Sequence, residues 1–386
     1  MIPLMKSAFQ NEKETCDKLA EFIKTVPKLS MGDKCREFEK EFAKYQGRKH
    51  CILVNSGGSA NFLLLQALKN LDLIKEKDNI AFSSLTWATN VMPIIQHGMN
   101  PIPLDCSVDM LNVTSEILKE AIAERKINAF FATNVLGFAG DLQKIKNICF
   151  DNNILFIEDN CEALGTEVGG IKTGNFSLAS TFSFFVAHHM STIEGGAICT
   201  DDDELAMMLI MCRANGWDRN LTKDQQNELR EEYKIQSEFQ SKYAFYDLGF
   251  NFRPTEITGF IGLEQLKYIK DAFEVREENY LNINSVMEKN IDLKTVDTRH
   301  LNFISNFSVP VISNNINHYI NKFKDEVEIR PLICGNITKQ PFWNKYVDER
   351  FLLPGTNYLH DNAFYFGNYP ELNEEDFTII YKLLRE

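Results

Sequence analysis

Short apolar runs alternate with amphipathic segments along residues 50–215. CILV (51–54) precedes a helical pattern from Ser59 to Lys69, and NIAFSS (79–84) precedes one around 89–97. NPIPLDC (100–106), NAFFATN (128–134) and ILFIED (154–159) follow, with helix-like segments between them. STFSFF (180–185) and GGAICT (195–200) come next, the second followed by a helix near 202–214. Strands alternating with helical patterns predict an α/β fold with a mostly parallel sheet covered on both faces. The charge-rich segment 218–242 breaks this rhythm with helix-favouring composition and no strand. A long helical pattern then runs from about Thr255 to Glu288, and strand patterns recur near 305–312 and 327–333. The expected organisation is a large α/β domain over 1–255, a connecting helix over 256–288 and a small C-terminal α+β domain over 289–386.

Of the 386 residues, 44% are hydrophobic and 25% charged. That supplies a large core and argues against disorder. The formal net charge of −13 argues against nucleic acid or an anionic membrane as principal partner. It leaves an anionic small ligand open, because a helix N-terminus overrides the mean field locally. No uncharged apolar stretch reaches the roughly 18 residues of a membrane-spanning helix. The opening MIPLMKSAFQNEKETC lacks the apolar run of a signal peptide. A cytoplasmic protein with no membrane partner is therefore expected. The nine cysteines form no CxxC pair and read as reduced thiols, with no metal or iron–sulfur site expected.

Several motifs follow the ends of these strands. VNSGGSAN (54–61) is a strand, a glycine turn and a helix start. The N–H groups of Gly57 and Gly58 there suit a phosphate, with Ser56 and Ser59 adding hydroxyls. A plain tight turn with Ser59 as helix cap reads equally well. FIEDNCEALG (156–165) puts Asp159 at the C-terminal end of a buried strand, the edge where ligands of open α/β sheets collect. A carboxylate there can keep a pyridinium nitrogen protonated, or merely cap the next turn. Glu162 lies three residues on. LTWATN (85–90) offers Trp87 as a stacking ring or as a core residue. SFFVAHHMSTIEGG (183–196) joins Ser183, His188 and His189 to an acid-Gly-Gly turn. DLGFNFRPTEITGF (247–260) places Asn251 and Arg253 before a helix, and EIRPLICGNITKQP (328–341) carries Arg330 towards a loop.

In their order and spacing, NSGGSAN, LTWATN, EDNCEALG, SFFVAHH with EGG, and GFNFRPTEITGFIGLEQL resemble the sugar-nucleotide aminotransferase family of fold-type I pyridoxal-phosphate enzymes. The resemblance runs from FEKEFAKYQGRKH (38–50) to the C-terminus, and it implies a fold-type I aminotransferase-like architecture. That family carries a lysine five residues beyond the serine of its S-F motif. Here the position is His188, and no lysine stands between Lys172 and Lys223. The missing lysine, RPLICGNITKQP and FYFGNYP (364–370) resemble the 3-dehydratase branch of the family. The CDP-sugar members of that branch carry an iron–sulfur cysteine cluster before the NFRP motif. Residues 213–250 contain no cysteine, so the resemblance implies no iron–sulfur cluster and a GDP-linked sugar by default.

Imidazole has no primary amine, so His188 cannot bind the cofactor covalently, but a near-neutral pKa suits a proton shuttle. The resemblance implies non-covalent pyridoxamine 5′-phosphate and pyridoxal 5′-phosphate. It implies removal of the C3 hydroxyl from a nucleotide-linked 4-keto-6-deoxy sugar, with ammonia release and L-glutamate as amino donor, in deoxysugar biosynthesis. Gly57, Gly58, Ser59 and Ser183 would hold the phosphate, Trp87 would stack on the ring, Asp159 would hold the ring nitrogen, and Glu162 would lie near the phenolic oxygen. Asn251 would reach the phosphate of a partner subunit, which implies a homodimer with shared sites. Arg253 and Arg330 are candidates for the sugar nucleotide or the glutamate carboxylate, and His189 reads as an ordinary loop residue. A sugar aminotransferase and a non-catalytic binding member of the family remain the alternatives.

Overall fold

Seven strands form the central sheet of the computed structural model, which describes residues 1–385. The chain enters it through β1 (His50–Val54), β2 (Asn79–Ser83), β3 (Asn100–Leu104), β4 (Ala129–Thr133) and β5 (Leu155–Asp159). A small hairpin, β6 (Glu167–Val168) and β7 (Ile171–Lys172), precedes β8 (Ala179–Ser183) and β9 (Gly196–Thr200). The spatial order is β1-β9-β8-β5-β4-β2-β3. Helices Gly57–Asn70, Ala88–Gln96, Ser115–Glu124 and Leu142–Asp151 follow the first four strands, as the alternating pattern predicts. β4 reads AFFAT and is buried at every position, as a strand covered on both faces must be.

One strand is reversed. β9 runs antiparallel to both β1 and β8, while β8, β5, β4, β2 and β3 pair in parallel. A parallel return needs a crossover of a dozen or more residues, usually helical. Residues 184–195 form no helix, so the chain turns straight back. The consequence is positional: this loop, the turn after β1 and the end of β5 all sit at one edge of the sheet.

The charge-rich stretch forms helix Lys223–Glu232, closed by a capping box of Thr222 and Gln225. The long helical pattern resolves into two helices, Glu256–Leu266 and Ile269–Met287, rather than one. Tyr268 leaves the helix at φ −105°, ψ −5°, and its hydroxyl accepts a hydrogen bond from Asn11 Nδ2 at 3.2 Å. The remaining strands are β10 (Leu301–Phe303), β11 (Ser308–Ile312), β12 (Ile329–Pro331) and β13 (Ala363–Gly367). The last three form an antiparallel sheet in the order β11-β13-β12, whereas β10 pairs with β6. Phe323, Phe364, Phe366 and Ile380 share one buried cluster with Tyr280 and with Val135, Leu136 and Phe138. The C-terminal sheet is thus packed against the loop that follows β4. Among the described residues no helix is long and apolar enough to cross a membrane.

Candidate active site

A cavity of about 460 Å³ opens where β1, β2, β4, β5 and β8 end. Gly57, Gly58, Trp87, Asp159, Glu162, Ser183 and His188 all line it. Four separate sequence motifs therefore converge at one sheet edge, as expected for open α/β folds.

The glycine turn begins helix Gly57–Asn70. Its cap is Ser56, whose Oγ accepts from the Ser59 N–H at 3.0 Å, so Ser59 is not the cap. The Ser59 hydroxyl accepts from Ser56 Oγ at 2.9 Å. First-turn N–H groups lack intrahelical partners, and the helix dipole adds positive character to them. A Cβ on Gly57 would stand 2.6 Å from Ser183 Cβ and 3.1 Å from Cys161 Sγ. Only glycine lets the helix start approach β8 this closely.

Asp159 is buried at the end of β5. Its Oδ2 accepts from Asn61 Nδ2 at 2.8 Å and from Asn90 Nδ2 at 2.6 Å, and its Oδ1 accepts from the Cys161 N–H at 2.8 Å. Both asparagines are fixed in turn. Thr181 Oγ1 donates to Asn61 Oδ1 at 2.6 Å, and Thr86 Oγ1 donates to Asn90 Oδ1 at 2.9 Å. A fully satisfied network of this kind fixes one carboxylate orientation. Sequence reasoning missed Asn61 and Asn90, although they are the last residues of NSGGSAN and LTWATN.

Glu162 accepts from the Leu136 N–H at 3.0 Å. Burial pushes its carboxyl up to about 8, and the nearby Asp159 charge adds to the rise. His188 is half-buried, and its ring packs against Phe185 and Phe307 at 5.8 and 5.3 Å between centroids. Burial pushes its imidazole down to about 4; Asp159 opposes this and Arg276 reinforces it. His188 is therefore neutral at pH 7, further from its ordinary value than the sequence suggests. His189 is not an ordinary surface loop residue: it is buried, and its Nε2 bonds the Ser305 carbonyl at 2.8 Å. Trp87 is 54% exposed in the cavity wall and so is not a core residue.

Ser59, Asn251, Arg253 and Arg330 do not line this cavity. Asn251 and Arg253, joined by a 2.9 Å hydrogen bond, line a second cavity of about 700 Å³ with Arg36, Trp217 and Arg219. Arg330 lies on β12, paired with Glu328 and in register with Tyr365. Sequence reasoning also missed Glu194, Phe307, Ile333 and Tyr365, which line the Asp159 cavity. Among the described residues no cluster of three or more His, Cys, Asp or Glu is placed to hold a metal.

These residues fit a phosphorylated pyridine. The helix start offers N–H donors to a phosphate, the buried Asp159 offers an acceptor to a ring nitrogen, and the open Trp87 ring offers a stacking face. No lysine lines the cavity. The chain is 31% identical over 369 residues to GDP-4-keto-6-deoxy-D-mannose 3-dehydratase of Yersinia pseudotuberculosis, covering 93% of this chain and 92% of that one. It is 32% identical over 354 residues to the Escherichia coli O55:H7 protein of the same name, covering 88% and 89%. A crystal structure of GDP-4-keto-6-deoxymannose-3-dehydratase with a trapped PLP-glutamate geminal diamine superposes with a TM-score of 0.89, at 28% identity and full coverage of both chains. The model of the DegT/DnrJ/EryC1/StrS aminotransferase family matches residues 10–385, and the chain belongs to that family.

Proposed function

We propose that this protein is a pyridoxamine-phosphate-dependent 3-dehydratase of a nucleotide-linked 4-keto-6-deoxy sugar. One observation carries the reading: a histidine, and no lysine, faces the cavity that holds Asp159, Glu162 and the Gly57 helix start. When bound, pyridoxamine 5′-phosphate supplies an amine for the C4 ketone and a ring that stores an electron pair.

The chain's own residues do the rest. Gly57, Gly58 and Ser183, with Ser59 behind them, hold the phosphate; Trp87 stacks on the ring. Asp159, fixed by Asn61 and Asn90, keeps a proton on the ring nitrogen. Glu162 retains its proton near neutral pH and donates to the phenolic oxygen. His188, neutral at pH 7, takes the proton at C4′ and returns it to the departing C3 oxygen, which leaves as water. A base held below its ordinary pKa becomes a strong acid once protonated, which suits that second transfer. The sugar would lose one oxygen atom with nitrogen leaving as ammonia, and L-glutamate would be the amino donor. GDP as the nucleotide is supported by the named relatives.

A homodimer completes the site in this reading. Asn251 and Arg253 open onto a separate cavity bearing Arg36 and Arg219. The adjoining segment exposes Phe239, Tyr243, Phe245 and Leu248, an apolar patch of the kind that marks an interface. From there Asn251 serves the cofactor phosphate of the partner subunit's site, and Arg253 and Arg330 serve the substrate phosphates or the glutamate carboxylate. A cytoplasmic enzyme of deoxysugar biosynthesis is the setting.

Incubation with pyridoxamine 5′-phosphate, L-glutamate and GDP-4-keto-6-deoxymannose tests the reaction. A product lighter by one oxygen atom, with ammonia released, is expected. An amine-bearing product would replace the reading with transamination.

A further inference from the structure

A small cavity lies behind the histidine loop, enclosed by residues 4–10, the loop 186–191 and helix Ile269–Met287. It offers about 30 Å³, room for a water or two and no more. Arg276 lines it, 6% exposed, together with His188 and His189, the latter 4% exposed. Arg276 Nη1 donates to the His189 carbonyl at 3.2 Å. Arg276 Nε, His188 Nδ1 and His189 Nδ1 are each buried without a hydrogen-bond partner among the described residues. Three such atoms around one cavity require an explanation, because buried polar groups are nearly always paired.

Their chemistry is complementary. The Ser305 carbonyl only accepts, so His189 Nε2 carries the ring proton and His189 Nδ1 has a lone pair. Arg276 Nε–H only donates. With His188 Nδ1 buried, Nε2 is the ring nitrogen left to face the Asp159 cavity. To take a proton there, Nε2 must be bare, which puts the ring proton on Nδ1. Two donors and one acceptor match a single water that accepts from Arg276 and His188 and donates to His189. A small anion would accept the same two donors but would meet the His189 lone pair.

We infer that His189 is a positioning residue: through a water bound at Arg276 it holds His188 in the Nδ1–H tautomer, leaving Nε2 free as the base. The His188 tautomer rests on the dehydratase reading, since Nε2 must be bare only if it is the base; the His189 tautomer rests on the Ser305 carbonyl alone. The charged groups around the two rings are Asp159, Glu162 and Glu194 on the active-site side, and Lys6, Arg276 and Glu371 on the other.

Long-range proton–nitrogen correlation spectra of histidine-labelled, cofactor-free enzyme test this directly, with His188→Asn and His189→Phe giving the assignments. Near neutral pH, His188 is expected protonated at Nδ1 and His189 at Nε2. His189→Phe keeps an aromatic ring against Phe273 and Phe307 but removes the acceptor. In it, His188 is expected to lose its Nδ1–H preference, and kcat to fall about tenfold or more with KM for the sugar nucleotide unchanged. Arg276→Met removes the cation but keeps the apolar stem, and it is expected to move the His188 titration to higher pH. A His188 protonated at Nε2, or a tautomer unchanged in His189→Phe, overturns the inference; should that variant not fold, the wild-type spectrum and Arg276→Met decide. The expected tautomers in an enzyme that does not dehydrate would leave this inference standing and remove the proposed reaction.

Discussion

Replacing Gly57 with alanine puts the phosphate cradle under direct test. The added methyl would stand 2.6 Å from Ser183 Cβ, 3.0 Å from Ser183 Oγ and 3.1 Å from Cys161 Sγ. Carbon atoms in contact sit about 3.5–4.0 Å apart, so something must yield by about 1 Å. Ser183 ends β8, which is buried throughout and flanked by β5 and β9. The Cys161 N–H holds Asp159. Neither moves without disturbing the sheet or the carboxylate, so the helix start moves instead. Overpacking of this kind costs about 1–3 kcal/mol, visible as a melting temperature lowered by a few degrees. Displacing positioned donors by about 1 Å loses a charge-assisted hydrogen bond worth about 1.5–3 kcal/mol, and a loss of about 2.7 kcal/mol corresponds to about 10²-fold in binding. Calorimetric titration of pyridoxamine 5′-phosphate reads this as a Kd raised about 100-fold. Gly58→Ala is the internal control: its Cβ meets only the Thr89 Cγ2 methyl within 3.4 Å, at 3.1 Å, and that side chain can rotate away. Its expected loss is less than about tenfold. A Gly57→Ala protein that binds within about threefold of wild type and melts normally would refute the cradle, as would a Gly58→Ala variant that is worse.

Other outcomes follow from the same geometry. His188→Lys is expected to form a covalent adduct with pyridoxal 5′-phosphate that absorbs in the visible, and to lose dehydration; an unchanged spectrum would mean that position 188 does not face the cofactor aldehyde. Glu162 is raised to about 8 from 4.5, so between those values the folded chain keeps a proton that the unfolded chain releases. Its contribution to stability is full below about pH 4.5 and is lost as pH rises to about 8, by on the order of 5 kcal/mol. Melting curves of cofactor-free enzyme against those of Glu162→Gln check this, the variant being expected to show a flatter pH dependence. Mixing inactive His188→Asn and Asn251→Asp subunits is expected to restore about a quarter of the activity, because half the dimers are mixed and each has one intact shared site; no recovery on subunit exchange would mean that the sites are not shared.

Much of this was legible in the chain because the relevant residues follow strands whose apolar runs are unmistakable. AFFAT, bounded by alternating helical patterns, reads as a strand covered on both faces and is one, and FIED correspondingly delivers Asp159 to the sheet edge. Other features left no such trace. The break at Lys267–Tyr268 interrupts the helical pattern for only two residues, and buried positions resume at Ile269, Ala272 and Phe273. Asn61 and Asn90 looked like motif punctuation, since nothing local tells that both side chains meet one carboxylate from two different helices. Trp87 was ambiguous because a ring at a helix cap is equally at home in a core or in a cavity wall. Glu194, Phe307 and Tyr365 come from three separate segments, so only tertiary packing reveals that they share a site.

The exchange of lysine for histidine also changes what the rest of the fold must supply. Lysine has a long flexible stem and can find an aldehyde from a loosely placed backbone. Imidazole is short, and one of its nitrogens has to be aimed by the loop itself. That loop is pinned where it leaves β8, by the Phe184 N–H on the Gly195 carbonyl and the Thr192 N–H on the Phe184 carbonyl, both at 2.9 Å. At its tip the anchors come from beyond residue 255: Arg276 on the His189 carbonyl, Ser305 on His189 Nε2, and Phe307 against both imidazole rings. In the proposed mechanism His188 is therefore only as well aimed as the C-terminal third of the chain is docked, which would make that part of the fold a component of the proton-transfer apparatus and not merely a cover for the substrate.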